Sequence, residues 1–530
     1  MTFQPGPYDS VLDPKYAAGL PLSPYRLRSA SGRNVSKVTI PERDWVTLAR
    51  RHNLRDIARP GPAFTLVCSR ITSGSHAMHT GKIRYVCDGE VRTMSQSESK
   101  LVQAEAETPQ TDPNRGEQSS VKLGCRFCGT HLHHLVVDLG KSPLCESFLT
   151  ADQLNQMEPF YPLQAFVCDK CFLVQVLEHV DGVSIFGGEY AYFSSFSDSW
   201  LKHCSDYTEQ IVERLGLDEK SLVVEIASND GYMLQYFMEK GIKVYGVEPA
   251  DNVAEVAVQK GVPTLVEFFG EATAKGLVAD NIRADLLIGN NVLAHVPDIN
   301  DFVCGLNIVL APEGVLTMEF PHLLNMLELN QFDTIYQEHY CYLSLHAVSQ
   351  VFEHHGLTIF DVEEIPTHGG SLRVYARHTE DVSKPVLPAV TELHDREISA
   401  GLTDLETYSA YGEKVAETKR QLLEFLIQAR REGKRVAGYG APGKGNTLLN
   451  YCGIREDFIE FVVDRNPYKH GKFLPGTHIP VFAPEKIDQE KPDYVLILPW
   501  NLREEITKQL AHVRDWGAKF VVPIPRLEVF

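Results

Sequence analysis

The sequence predicts an α/β protein: a cysteine-stapled module followed by two separate parallel-sheet units. Three observations carry that expectation. Residues 221–250, SLVVEIASNDGYMLQYFMEKGIKVYGVEPA, read as strand, small-residue turn, helix and strand, the first apolar run ending in Glu225 and the second in Glu248. The same order recurs in KRVAGYGAPGKGNTLLNYCGI and FIEFVVDRNP, where the second strand ends in Asp464. Ahead of both lie the pairs Cys125/Cys128 and Cys168/Cys171, each a C-x-x-C.

A chain of 530 residues is too long for one hydrophobic core and implies three or four domains. Its apolar content of 43% is that of a globular protein, and its net charge of −19 argues against a general nucleic-acid binder, which needs basic surface. No apolar run reaches membrane-spanning length, and MTFQPGPYDS lacks the basic-then-apolar pattern of a secretion signal. A cytoplasmic protein with no membrane partner is expected. Eleven cysteines then read as metal ligands or buried apolar groups rather than disulfides.

In chain order, residues 1–95 form an extension of unknown fold with short apolar runs such as FTLVCSRI, and the polar stretch 96–121 reads as a linker. Residues 122–185 form the metal module. Its two C-x-x-C pairs, with 39 residues between the inner cysteines, have the spacing of a closed four-thiolate zinc site, structural rather than catalytic. His131, His133 and His134 are rival ligands, but four thiolates already complete a tetrahedron.

Residues 186–385 hold the first sheet unit. Its loop offers only Gly231 toward a dinucleotide G-x-G-x-x-G, so a pyrophosphate site is not expected. The loop resembles instead the S-adenosylmethionine loop E-x-G-x-G-x-G, with Glu225 as the acid, Ala227 and Asn229 in place of two glycines, and Gly231 kept. Glu248 is placed to accept both hydroxyls of a ribose. A third strand ends near Glu267 and Phe268, where an adenine ring is commonly flanked, and a fourth opens onto Asn290, Asn291 and His295. Then comes FDTIYQEHYCYLSLHAV, in which Tyr336, Glu338 and His339 crowd together. An imidazole of near-neutral pKa, a carboxylate able to orient it and a tyrosine able to donate to an oxyanion are the parts of general-base catalysis. The glycines of His368-Gly369-Gly370 suggest backbone lying close to a ligand.

A helix pair over about 390–430 leads into the second sheet unit, within residues 386–530. Its loop, with Gly438, Gly440, Gly443, Lys444 and Gly445, is suited to phosphate, and Lys444 supplies a point charge for a diphosphate. It is not a P-loop, because Gly445 and Asn446 stand where Ser or Thr would follow the lysine.

Taken together, CRFCG with CDKCFLVQ, YAYFSS, VEIASNDGYML, FDTIYQEHY, THGGSLRV, GYGAPGKGNTLLNYCGI and LPWNLREEI resemble the C-methyltransferases of nucleotide-linked 4-keto-deoxysugars. The resemblance covers about three quarters of the chain and leaves the first 120 residues without counterpart. It implies a zinc module, a class I S-adenosylmethionine (SAM) methyltransferase domain and a C-terminal Rossmann-like domain that helps hold a nucleotide-sugar, expected to be TDP-linked. It also implies His339 as general base with Tyr336 and Glu338 beside it, and Tyr192 and His295 at the substrate. Cofactor contacts are expected from Glu225, Asn229, Asp230, Gly231, Glu248, Glu267, Phe268 and Asn290, and substrate contacts from His368, Gly369, Arg373, Tyr439, Lys444 and Asn446. His339 would remove the C3 proton and the resulting carbanion would take the sulfonium methyl, with zinc remote. Two other readings stand beside this one: an O- or N-methyltransferase on the same fold, and a non-catalytic zinc- and nucleotide-binding adaptor. The sugar, the stereochemistry and the oligomeric state are not legible.

Overall fold

The computed structural model describes residues 123–182, 185 and 193–530, and the backbone of five strands within the first 122. These strands, β1 (Arg26–Arg28), β2 (Asn34–Ile40), β3 (Phe64–Ser69), β4 (Arg84–Cys87) and β5 (Glu90–Thr93), pair antiparallel in sequence order. The linker expected over 96–121 falls outside the described residues. The chain divides into two units, Met1–Gln118 and Ser119–Phe530, and every element after β5 belongs to the second.

The metal module is an antiparallel sheet of β6 (His134–Ser142), β7 (Tyr161–Val167) and β8 (Val174–Val176). One cysteine pair precedes β6 and the other turns β7 into β8. Both turns close in the same way. The Gly129 N–H donates to the Cys125 carbonyl at 2.9 Å and the Phe172 N–H to that of Cys168 at 3.1 Å. Gly129 and Phe172 lie in the left-handed region, at φ 74° and 56°.

The middle sheet contains β9 (Leu222–Ile226), β10 (Lys243–Val247), β11 (Thr264–Leu265), β12 (Ala284–Asn290) and β13 (Leu310–Pro321). After the two-residue β14 (Cys341–Tyr342), which lies elsewhere, β15 (Leu357–Ile365) and β16 (Ser371–His378) complete it in the order β11-β10-β9-β12-β13-β16-β15. Strands β9 to β13 run parallel, while β16 is antiparallel to both its neighbours. Val223 and Val224 of β9 are both fully buried because helices cover the two faces of the sheet, which is why these strands read as continuous apolar runs. Helix Asp198–Leu215 covers one face with Cys204, Tyr207 and Ile211; Ser197 caps its start and left-handed Gly216 ends it. Helix Ile299–Val309 covers the other with Phe302, Val303 and Leu306. Strand order reverses between β9 and β12, so a crevice opens at their carboxyl ends.

β14 is not part of this sheet. It pairs with β8, Cys341 opposite Gln175 and Tyr342 opposite Val174, and the Val176 N–H donates to the Tyr340 carbonyl at 3.0 Å.

Where one helix pair was expected over 390–430, the chain forms three helices, Pro388–Ser399, Leu405–Ser409 and Tyr411–Arg431, with a break around left-handed Gly401. The last sheet comprises β17 (Val436–Tyr439), β18 (Val462–Val463), β19 (Val481–Phe482), β20 (Tyr494–Ile497), β21 (Lys519–Val522) and β22 (Glu528–Val529), in the order β19-β18-β17-β20-β21-β22. Its first five strands are parallel and repeat the order of the middle sheet, so a second crevice opens between β17 and β20. Among the described residues no helix is long and apolar enough to cross a membrane.

Candidate active site and metal centre

The loop after β9 takes a left-handed conformation at alternate residues: Ala227 (φ 59°), Asn229 (φ 48°) and Gly231 (φ 75°). The two glycine replacements therefore accept backbone geometry that glycine adopts without strain. Only at Gly231 would a side chain also clash, since an added Cβ would stand 2.9 Å from Val262 Cγ2. Glu248 ties the loop down. Its Oε2 accepts from the Asn229 N–H and its Oε1 from the Ala250 N–H, both at 2.9 Å. Burial pushes its carboxyl up to about 7. Asn229 Oδ1 accepts from the Ser194 N–H at 2.9 Å, and Asp230 pairs with Lys260 at 3.2 Å.

Asn290 Nδ2 and Asp230 Oδ1, both buried at this crevice, have no hydrogen-bond partner among the described residues. A donor and an acceptor left open beside Glu248 fit the polar edge of an adenosine-type cofactor. Glu267 and Phe268 follow β11 on the rim, where Phe268 is 46% exposed. Glu225 departs from expectation: it reaches no cleft, lying fully buried beneath the loop beside Tyr232, and burial drives its pKa well above the ordinary carboxylate range. It supports the loop from below.

The proposed base lies between the two crevices. The Nδ1 of His339 is 2.9 Å from the Thr334 carbonyl. Because a carbonyl can only accept, Nδ1 carries the proton and Nε2 keeps its lone pair. The ring packs against Tyr336 at 4.0 Å and edge-on to His295 at 4.6 Å between centroids. Two features differ from expectation. The orienting group is the Thr334 carbonyl: residues 336–339 form a turn closed by the His339 N–H on the Tyr336 carbonyl at 3.0 Å, and Glu338 within it faces Cys145, 3.6 Å away. The imidazole is also not near neutral: burial, then His295, and further His368 and Lys444 hold it well below its usual pKa. Burial keeps His295 and His368 at about 4. Glu338, buried beside Glu146, is pushed up to about 8. Burial, then the charges of Cys145, Glu338, Tyr342 and Glu146, push the Tyr336 hydroxyl well above its usual pKa. Tyr192 falls outside the described residues.

Lys444 stands at the second crevice. Lys444 begins helix Gly443–Cys452; its Nζ donates to Asn501 Oδ1 at 2.9 Å and lies 4.7 Å from the centre of the Trp500 ring. Trp500 Nε1 donates to Asp333 Oδ2 at 2.8 Å, and burial lifts that carboxyl to about 7. Asp464 repeats the device of Glu248, accepting from the Ala441 N–H at 2.6 Å and the Asn466 N–H at 2.7 Å. Trp500, Asn501, Asp333 and Thr334 were not singled out in the sequence. Trp500 and Asn501 stand just past the end of β20, where the switch-point rule would have pointed.

Three expected substrate contacts lie elsewhere. Arg373 is 3% exposed and bonds Glu319 at 2.7 Å and Glu363 at 2.9 Å, a buried ion network beside His203. Asn446 is 1% exposed and donates to the Cys145 carbonyl at 2.6 Å, joining the last domain to the metal module. The Tyr439 hydroxyl bonds Gln509 at 3.0 Å. At Gly369 (φ 96°) the close neighbour is the Trp500 ring: an added Cβ would stand 2.5 Å from it.

The sulfurs of Cys125, Cys128, Cys168 and Cys171 lie within 4.8 Å of one another, with Cys125–Cys171 and Cys128–Cys168 at 3.5 Å. Tetrahedral zinc thiolates stand about 3.8 Å apart, so the set fits the ion with no position left open. Gln175 Nε2 donates to Cys125 Sγ at 3.3 Å, and the same residue pairs with Cys341 two positions after His339.

The middle sheet's strand order, with an acid-tethered loop at its switch point, is that of a class I SAM-dependent methyltransferase, and residues 200–362 match the methyltransferase domain family. Residues 125–186 match a zinc binding domain family and residues 366–525 that of C-methyltransferase C-terminal domains. The C-methyltransferase NovU of Streptomyces niveus is 37% identical over 405 residues, covering 76% of this chain and 96% of its own. The chain belongs to this family of SAM-dependent C-methyltransferases. Similar solved structures include PH0226 protein from Pyrococcus horikoshii OT3 (15% identity, 37% of this chain and 98% of that one, TM-score 0.31). Magnesium protoporphyrin IX methyltransferase from Synechocystis PCC 6803 is another (16% identity, 37% and 88%, TM-score 0.26).

Proposed function

We propose that the enzyme methylates C3, the carbon next to the ketone, of a nucleotide-linked 4-keto-deoxysugar through an enolate, the nucleotide being TDP and the setting cytoplasmic deoxysugar biosynthesis. The observation that carries the reading is the fixed tautomer of His339. With Nδ1–H donated to the Thr334 carbonyl, Nε2 keeps the lone pair that a proton acceptor needs. Neutral His295 and His368 beside it suit a substrate that arrives without charge at the reacting carbon. Asn229, Asp230, Gly231, Glu248 and Asn290 hold the cofactor, which supplies an electrophilic methyl group. The chain's own work is to remove the C3 proton, keep water out and align two bound molecules.

The test is to incubate the zinc-loaded enzyme with SAM and a panel of TDP-linked ketosugars, following S-adenosylhomocysteine release and locating the new methyl by NMR. A C3-methyl product is expected. A product methylated on oxygen or nitrogen, or no turnover of any 4-ketosugar, contradicts the proposal.

A further inference from the structure

Removing a proton beside a ketone places negative charge on the ketone oxygen, and something must receive it. Tyr336 was the expected donor; its ring packs on His339 at 4.0 Å, and burial pushes its hydroxyl well above the usual pKa. The contacts around His339 supply a different group. Thr334, which fixes the imidazole, follows Asp333; Asp333 holds the Trp500 indole at 2.8 Å; and the Trp500 ring carries the Lys444 ammonium 4.7 Å from its centre. On its other side Trp500 packs against Gly369, next to His368. Lys444, His368 and His295 thus all stand close enough for their charge to act on His339. Of the three N–H donors of Lys444, Asn501 takes one. Lys444 is the one ammonium among these four groups; burial lowers its pKa and the carboxyl of Asp333 opposes that shift.

We propose that Lys444 is a catalytic residue that stabilises the oxyanion at the ketone oxygen, rather than a clamp for the diphosphate. The inference rests on the enolate reading above. In the step, the C3–H bond breaks and its proton goes to His339 Nε2. The electron pair forms C3=C4, and the carbonyl π pair moves onto the oxygen facing Lys444. As C3 bonds to the methyl carbon, the S–CH3 bond breaks, its pair stays on sulfur, and the carbonyl re-forms. A cavity of about 700 Å³ opens beyond Asn501, lined also by Ser199, Gln509, the cations Arg503 and Lys508 and the carboxylates Glu504 and Glu505.

The experiment compares wild type with Lys444→Met, each zinc-loaded and saturated with S-adenosylhomocysteine. It measures deuterium exchange at C3 of a TDP-4-ketosugar, the Kd of TDP alone, and the pH profile of kcat/KM. Loss of one oxyanion donor predicts a fall of about 100-fold or more in exchange and kcat, with the TDP Kd within about twofold. The acid limb should also move to higher pH, because one of the groups facing His339 (His295, His368, Tyr336, Tyr342 and Lys444) has lost its positive charge. A TDP Kd raised tenfold or more, with exchange at saturation intact, overturns the proposal and makes Lys444 a diphosphate clamp. Absence of exchange in the wild type sinks the enolate reading and this inference with it, which separates the two failures. Should Lys444→Met fail to bind S-adenosylhomocysteine, Asn501→Ala decides: exchange about tenfold slower with unchanged TDP affinity supports the role, and unchanged exchange overturns it.

Discussion

Replacing His339 by Asn isolates the atom on which the chemistry depends. The Asn amide can still reach the Thr334 carbonyl that now holds Nδ1 at 2.9 Å, so the local tether survives while the Nε2 lone pair is lost. Removing a general base costs about 10²- to 10⁴-fold in rate, or roughly 3 to 5.5 kcal/mol at 1.36 kcal/mol per decade. The ring also leaves behind its packing on Tyr336 at 4.0 Å and His295 at 4.6 Å, so about 1–2 kcal/mol of stability goes with it. Two assays separate these effects: C3 deuterium exchange without methyl transfer, and S-adenosylhomocysteine affinity by calorimetry. Exchange should fall by at least about 100-fold while affinity is retained, since the cofactor loop is tied to Glu248. Because His339 is held well below its usual pKa, wild-type exchange should be flat from about pH 6.5 upward and fall only in more acid solution. Exchange in the variant within about threefold of wild type would remove His339 from the mechanism, against the at least 100-fold expected of a base.

The other expectations are structural. Cys171→Ser should lower zinc occupancy, measured by metal analysis, and should also slow C3 exchange, because β8 carries the strand that follows His339. Exchange at the wild-type rate in a zinc-free variant would break that link. Gly369→Ala places a Cβ 2.5 Å from Trp500 at φ 96°, so the melting temperature should fall by an amount corresponding to about 1–3 kcal/mol, and an unchanged melt contradicts the packing. Stability against pH reflects two opposed sets. Burial lifts Glu248 and Asp333 to about 7 and Glu338 to about 8, so the folded chain keeps protons that the unfolded chain releases above about 4.3, and stability falls as pH rises through that window. His295 and His368 at about 4 act in reverse: the unfolded chain takes up protons below about 6.5, and stability falls as pH drops. Between about pH 4.3 and 6.5 the two sets oppose each other, and above about 6.5 only the carboxyls act, so the ligand-free melting temperature should decline from pH 6.5 toward 8.5, with Glu338→Gln flattening the decline; a steady rise to pH 8.5 would contradict the carboxyl burial.

The parts legible in the sequence are those set by short-range pattern. Apolar runs ending in Glu248 and Asp464 marked the two nucleotide-type units, and both acids tether the neighbouring loop. C-x-x-C spacing marked a set of thiols that does converge. What local pattern could not show is which of two adjacent residues faces the cleft. Glu338 and His339 look equivalent as a cluster, and only the pairing of Cys341 with Gln175, far away in the chain, turns one toward Cys145 and the other toward His295. Arg373 and Asn446 misled for a related reason. Polar residues next to glycine-rich turns suggest ligand contacts, but their partners, Glu319 and the Cys145 carbonyl, come from strands and modules that no sequence window contains. Trp500 and Asn501 sit beside Lys444 only once β20 is laid next to β17.

The seam between β8 and β14 has a practical consequence. The residues proposed to hold the methyl donor all belong to the middle sheet unit, whereas the segment of the proposed proton acceptor pairs with a separately stapled piece of chain. Chimaeras that exchange the stapled piece between relatives would retune where the imidazole points without altering a single residue in contact with the methyl source.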